Sequence, residues 1–279
     1  MKLYELLNPT YKMLSPTYKS RFYSIVFLIH KHSNRHSDIL LDLGCGRGDY
    51  LKTLSFFVGE IIGIDLSLRD LHFAKVQHKF TPNLMGLVCA DARYLPLKTD
   101  SITKICCVEV LHYVKEDNLV IEDLSRILMH GGEGYITVPN FNHSVFHDFL
   151  NWIRVRQGKI PWKIGIHSWG NIERFYRDSD LSKLVKSKGL RPLKTFTSGH
   201  YFVSLFQNYF VEIISLMAIP KTMQSSYLSS ESDLLSVEVE SLSPVKQIIS
   251  TLTDLICVID NNLFSYSKKG RNLIIVVIK

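Results

Sequence analysis

The chain has 279 residues, 46% of them hydrophobic, and a formal net charge of +7 from 33 Lys and Arg against 26 Asp and Glu. This length and composition fit one large globular domain, or a domain with a substantial insertion. The five cysteines include no C-x-x-C pair and no Cys/His cluster with zinc spacing, so we expect no zinc site and free thiols in a reducing cytoplasm. The N-terminus lacks a basic segment followed by a continuous apolar run, so we expect no signal peptide and a cytoplasmic location.

Residues 1–38 are predicted to be an N-terminal helical extension of the core. Within it, the apolar residues of segment 18–30 recur at helical spacing, so one face of this helix is expected to pack inward. The residues on that face are Phe22, Ile25, Val26 and Ile29.

The next stretch combines an apolar run, a glycine-rich turn and a second apolar run that ends on Asp65. The runs are residues 39–41 and 61–64, and the glycines between them are Gly44, Gly46 and Gly48. A strand, a glycine turn, a helix and a strand that ends on a carboxylate predict a nucleotide-binding βαβ unit. The glycines let the backbone approach the ligand closely, and Asp65 can accept hydrogen bonds from both ribose hydroxyls.

The glycine spacing distinguishes between nucleotides. A dinucleotide-binding turn requires a third glycine at position 49, where Asp49 would repel a pyrophosphate. Residues 42–48, Asp-Leu-Gly-Cys-Gly-Arg-Gly, instead match the D/E-x-G-x-G-x-G motif at every defined position, so the chain resembles the class I S-adenosylmethionine-dependent methyltransferases. Asp42 suits a cofactor that carries an ammonium and a sulfonium. A plain strand-to-helix turn is the alternative that remains open.

The resemblance implies that S-adenosyl-L-methionine is the cofactor and extends to two later motifs. Asp91 directly follows a predicted strand at residues 86–90, where an Asp of the family accepts a hydrogen bond from the adenine amino group. Glu109 lies in the predicted fourth strand, residues 102–110. The implied cofactor-binding residues are Asp42, Gly44, Cys45, Gly46, Asp65, Leu66, Asp91, Ala92 and Glu109.

Strands and helices alternate up to residue 140, as a parallel sheet with helices on both faces requires. We predict helices at residues 68–79 and 117–129, a fifth strand at 134–138, and closing strands at 193–197 and 272–279. The predicted fold class is α/β, a Rossmann-like, seven-stranded and mostly parallel sheet with an α-helical cap inserted before the last strand. The predicted domains are an extension at 1–38, a methyltransferase core at 39–199, a cap at 200–271 and the last strand at 272–279.

The cap contains two amphipathic segments, residues 202–217 and 245–256, which polar residues keep too short to span a bilayer. Two interpretations remain open. The helices simply pack on the core, or they cap the active site with an apolar face toward a lipid-like substrate or a membrane surface, as a peripheral contact.

The resemblance also bears on catalysis. Where the small-molecule branch of the family commonly reads E-V-L-E-H-V, residues 109–114 read E-V-L-H-Y-V, so His112 and Tyr113 replace the Glu-His pair. A hydroxyl or phenol acceptor benefits from a general base. His112 and His167 are the candidate bases, and Tyr113 is the candidate for positioning an acceptor. An ordinary polar contact is the alternative for either histidine.

Positive charge is concentrated in residues 151–194, which contain eleven Lys and Arg but only three Asp and Glu, a net charge of +8. Such a field suits an anionic partner, so an RNA or protein methyltransferase that docks through this segment is an alternative. The N/D-P-P-Y motif of adenine and glutamine N-methyltransferases and the Pro-Cys of cytosine-C5 enzymes are missing, and nucleic acid is the less favoured partner. We expect O- or C-methylation of a small, hydrophobic or lipid-like acceptor, similar to the quinone- and lipid-modifying enzymes. A non-enzymatic binding protein and a nucleotide-dependent oxidoreductase also remain open, and the sequence does not predict the oligomeric state.

Overall fold

The computed structural model describes residues 15–79, 81–144, 149–159, 172–207 and 244–279. In these residues, seven strands form one sheet in the order β3-β2-β1-β4-β5-β7-β6. All paired strands are parallel except β7, which runs antiparallel to both β5 and β6. The strands are β1 (Ile39–Leu43), β2 (Glu60–Asp65), β3 (Leu84–Cys89), β4 (Ile102–Val108), β5 (Leu128–Pro139), β6 (Arg191–Ser198) and β7 (Asn272–Ile278). The predicted Rossmann-like, mostly parallel sheet is confirmed.

Eight α-helices lie in the described residues, and a short 3₁₀ turn at Leu111–Tyr113 follows β4. The helices are α1 (Pro16–His32), α2 (Leu51–Leu54), α3 (Leu68–Gln77), α4 (Asp117–Ile127), α5 (Phe149–Arg156), α6 (Asp178–Ser187), α7 (Tyr201–Phe206) and α8 (Pro244–Phe264). None of them is long and apolar enough to cross a bilayer.

The sheet buries both of its faces, as the alternation of side chains along a strand requires. On β1, Leu41 and Leu43 belong to one apolar core, which α4 and α6 cover. Leu40 belongs to a second core on the opposite face, which α1, α2 and α3 cover. Residues Phe22, Ile25 and Ile29 of α1 are at most 2% exposed there. The predicted inward face of the N-terminal helix is therefore confirmed for these three residues.

Several element boundaries differ from the prediction by about two residues; for example, β4 ends at Val108, so Glu109 lies just after this strand and not inside it. The largest difference lies between α4 and β5. The helix expected up to residue 129 ends at Ile127, and β5 begins at Leu128 rather than at residue 134. The pairing of β4 with β5 shifts between Ile102, opposite Leu128, and Lys104, opposite Glu133. Gly131 and Gly132 lie inside this irregular part of β5, and Gly131 adopts φ +81° there.

The segment between β6 and β7 contains α7 and α8, and α8 includes the second predicted amphipathic segment. Both helices pack on α1 and on each other. The side chain of Lys19 on α1 donates to Asp254 Oδ1 of α8 over 2.6 Å and to Ser250 O over 2.8 Å. Residues 208–243 of the predicted cap lie outside the described residues, and the division into domains stays a prediction.

Candidate active site

The glycine turn after β1 is held against the end of β2. The amides of Gly44 and Cys45 donate to Ile64 O over 2.7 and 3.1 Å. Gly44 has φ +73°, and a Cβ at this position would lie 2.2 Å from Val110 Cγ2. Because L side chains rarely adopt this backbone conformation and no room exists for one, only glycine fits here.

Asp65 links the end of β2 to the glycine turn. Its Oδ2 accepts from the amide of Gly46 over 2.7 Å, and its Oδ1 accepts from the amide of Ser67 over 2.8 Å. These two bonds fix the carboxylate at the carboxyl edge of the sheet, where ligands of such folds bind. Each oxygen keeps a further lone pair, so the carboxylate can also accept from two hydroxyls.

Asp42 lies in β1 beneath the glycine turn and is 2% exposed. Burial, with the nearby carboxylates of Asp49 and Asp65, raises the pKa of Asp42 to about 8. Its Oδ2 has no hydrogen-bond partner among the described residues. A buried acidic oxygen without a donor favours a cationic or hydrogen-bonding ligand group nearby.

The turn leaves room on its outer side. A Cβ built on Gly46 would meet no atom within 4 Å, in contrast to one on Gly44. Cys45 lies between these glycines with its side chain 7% exposed, and burial raises the pKa of its thiol. The open space at Gly46, the fixed Asp65 carboxylate and the unpartnered Asp42 oxygen together fit a nucleoside cofactor that carries a positive charge.

The predicted adenine loop follows β3 and adjoins this space. The amide of Ala90 donates to Asp65 O over 3.1 Å, which ties the loop to the end of β2. Leu66, next to Asp65, is 71% exposed and offers an apolar surface. Ala92 is partly buried in the same loop.

Asp91 has a partner that the sequence did not indicate. Its carboxylate accepts from Arg93 Nη2 over 2.7 Å and from the Arg93 amide over 2.9 Å. Hydrogen bonding to Arg93 holds the pKa of Asp91 below its usual range. The carboxylate is thus ionised and already engaged, and its role toward adenine stays a prediction.

Glu109, directly after β4, has the unusual backbone angle of φ +60° for a residue other than glycine. Its amide donates to Thr137 O over 3.1 Å, and Thr137 Oγ1 donates to its Oε1 over 3.0 Å. Arg21 Nη1 of α1 lies 3.6 Å from its Oε2. Burial alone would raise the pKa of Glu109, but Arg21, His112 and the Thr137 hydroxyl together hold it below the usual value. Glu109 is therefore an ionised, partly buried carboxylate at the carboxyl edge.

The predicted catalytic residues His112 and Tyr113 lie in the 3₁₀ turn after Glu109. His112 is 1% exposed, with its Nε2 4.0 Å from Glu109 Oε2. Burial lowers the pKa of His112, so the imidazole is neutral at pH 7. Tyr113 is 51% exposed, and its ring centroid lies 4.0 Å from that of His112. His167 lies outside the described residues, so catalysis by any of the three stays a prediction.

Sequence reasoning did not identify Arg21 as a site residue. Its Nε is buried and has no hydrogen-bond partner among the described residues. The helical spacing of α1 could have indicated that Arg21 faces inward. Arg21 lies three residues after Tyr18 and four before Ile25, and both of these residues are buried.

Comparison with known proteins is consistent with this geometry. Residues 41–136, from β1 into β5, match the model of a family described as a methyltransferase domain. The chain is 33% identical over 154 residues to the biotin biosynthesis bifunctional protein BioHC of Cellvibrio japonicus, covering 55% of this chain and 28% of that protein. It is 25% identical over 162 residues to a ubiquinone biosynthesis O-methyltransferase of Coxiella burnetii, covering 58% and 67%. The chain therefore spans much less than two thirds of the first of these relatives.

Solved structures share the fold. An S-adenosylmethionine-dependent methyltransferase from Archaeoglobus fulgidus matches with a TM-score of 0.53 and 15% identity over 95% of each chain. The cyclase SpnF matches with a TM-score of 0.57 and 16% identity, over 93% of this chain and 80% of that one. Because a cyclase and a methyltransferase share this fold, the fold alone does not decide the reaction.

The complete motif of residues 42–48, the fixed Asp65 carboxylate and the open space at Gly46 all lie inside the matched region. Residues 41–136 thus match a methyltransferase domain, and the glycine turn and the Asp65 carboxylate within them fit S-adenosyl-L-methionine as the cofactor.

Proposed function

We propose that the protein transfers a methyl group to the oxygen or carbon of a small, hydrophobic or lipid-like acceptor. The observation that carries this proposal is the end of β4, where the buried, neutral His112 lies between the ionised Glu109 and the half-exposed Tyr113. This arrangement offers a base and an aromatic surface for a small acceptor. The activity named for one relative, ubiquinone biosynthesis O-methyltransferase, belongs to the same class and supports assignment to the quinone- and lipid-modifying branch.

The cofactor would be held mainly by groups at the ends of β1 and β2. Asp65 would accept from the ribose hydroxyls, and Leu66 would pack on the base. Asp42 would face the cationic part, while Arg21, with an unpartnered Nε and a contact to Glu109, suits the cofactor carboxylate. When bound, S-adenosylmethionine supplies a methyl group that is already activated for displacement.

The chain's own residues would prepare the acceptor. A hydroxyl or phenol must lose a proton as it is methylated, and the neutral imidazole of His112 can take that proton. The Glu109 carboxylate, 4.0 Å from His112 Nε2, would then stabilise the imidazolium. The exposed half of Tyr113 would orient the acceptor and exclude water from one side of it.

Docking of RNA through residues 151–194 is less favoured. Some Lys and Arg side chains in the described residues of this segment already have acidic partners. Arg174 Nη1 lies 2.9 Å from Asp117 Oδ2, and Lys188 contacts Glu122. These pairs reduce the field that a polyanion would meet.

Two experiments test the proposal in sequence. Calorimetry should detect binding of S-adenosylhomocysteine and no binding of NAD, and the reverse result would end the proposal. Incubation with methyl-labelled cofactor and cell fractions should then label the lipid extract rather than RNA or protein. Label in RNA that falls steeply with added salt would establish the alternative instead.

A variant identifies the proposed base. His112→Gln should lower kcat by about 100-fold or more, while S-adenosylhomocysteine affinity stays near the wild-type value. His130→Gln, an exposed histidine in β5, is the matched control and should leave both quantities unchanged. A His112→Gln enzyme of normal kcat would show that this histidine only fills space.

A further inference from the structure

Helix α8 turns its polar side toward the protein. Thr253, Cys257 and Asp260 lie on this side and are at most 1% exposed. Asp260 accepts from the amides of His200 over 2.7 Å and of Phe202 over 2.8 Å, at the start of α7. The inner side of α8 is therefore held by hydrogen bonds and ion pairs, together with ring contacts of Phe264 with Tyr201 and Phe202.

The opposite side of α8 is apolar and exposed. Six aliphatic side chains there are between 39% and 63% exposed, and their spacing of three, four and seven places them on one strip. They are Ile248, Leu252, Leu255, Val258, Ile259 and Leu263. At 1.5 Å per residue, the strip is about 22 Å long. On the same side of α8, the exposed polar residues are Thr251 and Asn262.

This arrangement is the reverse of a usual surface helix, which buries its apolar stripe and exposes its polar face. Contiguous exposed apolar patches on folded proteins mark interaction sites. The strip on α8 is therefore a candidate interaction site.

Residues 244–279, which include the strip, carry a positive formal charge. Of residues 244–279, only Asp254 and Asp260 carry acidic side chains, and Lys19 and His200 respectively engage them. Lys268 and Lys269 are exposed just beyond the C-terminal end of α8. Tyr266, between the helix and these lysines, is 99% exposed. An apolar strip bordered by an aromatic residue and cations is typical of helices that lie in the interface of an anionic bilayer.

A second copy of the chain is a poorer fit. A strip about 22 Å long and one helix, about 10 Å, wide covers on the order of 220 Å². A stable interface buries about 800 Å² on each partner. A bilayer has no such requirement, because lipid packs around any apolar strip.

We propose that the outer face of α8 is a docking surface for a membrane that contains anionic phospholipid. The helix lies in the plane of the membrane, with the apolar strip at the boundary between headgroups and acyl chains. Lys268 and Lys269 contact the phosphates, and Tyr266 lies at headgroup level. This proposal is independent of methyl transfer, since it rests on α8 and the lysines that follow it.

Flotation of the full-length protein with vesicles tests the proposal. Wild-type protein should float with vesicles of phosphatidylcholine plus phosphatidylglycerol, and less with phosphatidylcholine alone. Leu255→Glu and Ile259→Glu should each lower the bound fraction at least tenfold. Val76→Glu is the matched control, because Val76 is 64% exposed on α3, and it should float like wild type. Lys268→Glu should weaken binding about fivefold, and added salt should remove that difference.

Three results would overturn the proposal. The first is wild-type protein that stays unbound with anionic vesicles, and the second is an equal loss for Val76→Glu. The third is a Leu255→Glu variant that changes the sedimenting mass or lowers the melting temperature, which would mean that another copy or residues 208–243 cover the strip. Calorimetry with S-adenosylhomocysteine on the same samples separates these outcomes from failure of the proposed enzymatic function.

Discussion

Two regions of the molecule are built in different ways. One is the carboxyl edge of the sheet around Gly44, Gly46 and Asp65, here called the cofactor edge, and the other is the layer of α1, α7 and α8. At the cofactor edge, backbone groups make the decisive contacts, as when the amides of Gly46 and Ser67 hold Asp65. In the helical layer, side chains far apart in sequence make them, as when Lys19 reaches Asp254. The first region is therefore encoded locally, whereas the second depends on which helices meet.

The largest effect is expected from Gly44→Ala at the cofactor edge. The new methyl would collide with Val110 and force a left-handed backbone on alanine, so the free energy of unfolding should fall by about 3–4 kcal/mol. Gly46→Ala is the matched control, with space for the methyl, and should cost about 1–2 kcal/mol. Urea denaturation measures both. Equal losses would mean that the collision with Val110 is relieved by movement.

Asp65→Ala should weaken S-adenosylhomocysteine binding about 100-fold, or about 2.7 kcal/mol. The variant loses the proposed ribose acceptor and leaves the amides of Gly46 and Ser67 without theirs. Calorimetry measures the change, and Glu60→Ala at the other end of β2 serves as the control. Unchanged affinity would remove Asp65 from the cofactor site.

Lys19→Met tests the helical layer. Lys19 is 1% exposed, but its partner Asp254 is 43% exposed, so water screens part of the interaction. We expect a loss of about 1–2 kcal/mol in the free energy of unfolding. S-adenosylhomocysteine affinity should change little, because Phe22, Ile25 and Ile29 still anchor α1 on the sheet. Lys31→Met, exposed near the end of the same helix, should be neutral. A large loss of affinity in Lys19→Met would show that the two regions are not separable.

Asp42 lies where the two regions meet, because its side chain is on the α1 face of β1. The pH dependence of stability tests this residue. Its pKa of about 8 in the fold exceeds the ordinary value of about 3.9. Between these values the unfolded chain releases the proton and the folded protein keeps it. Stability should therefore fall as pH rises from about 4 to 8, by about 1 kcal/mol per pH unit. Asp42→Asn should flatten this dependence in urea titrations, and a variant with the wild-type slope would contradict it.

How much the sequence predicts follows the same division. The glycine turn, the parallel strands around it and the inward face of α1 follow from local spacing, and the structure confirms them. The pairing of Arg93 with Asp91 was missed although the residues are two apart, because an exposed arginine has many available partners. The contact of Arg21 with Glu109 could not be predicted, since it requires knowing that α1 crosses the end of β4.

The orientation of α8 was also beyond the sequence. An amphipathic pattern predicts a helix and two faces, but it does not say which face meets the protein. Here Lys19 and the start of α7 supply polar partners, so the polar face packs inward. The rule that a surface helix buries its apolar face fails here, because α1 and the start of α7 present polar groups to α8.

The position of β7 has a consequence for how the protein is made. Among the described strands, β6 pairs with β7 alone, and β7 lies between β5 and β6. In the chain, α7 and α8 separate β6 from β7. During synthesis, β1 to β5 can assemble first. β6 can pair only after the segment with α7 and α8, and then β7 itself, have left the ribosome. Until then, β5 and β6 present unpaired edges, which invite association with other chains. Variants that slow formation of the helical layer should therefore reduce yield through aggregation, even where the finished enzyme is stable.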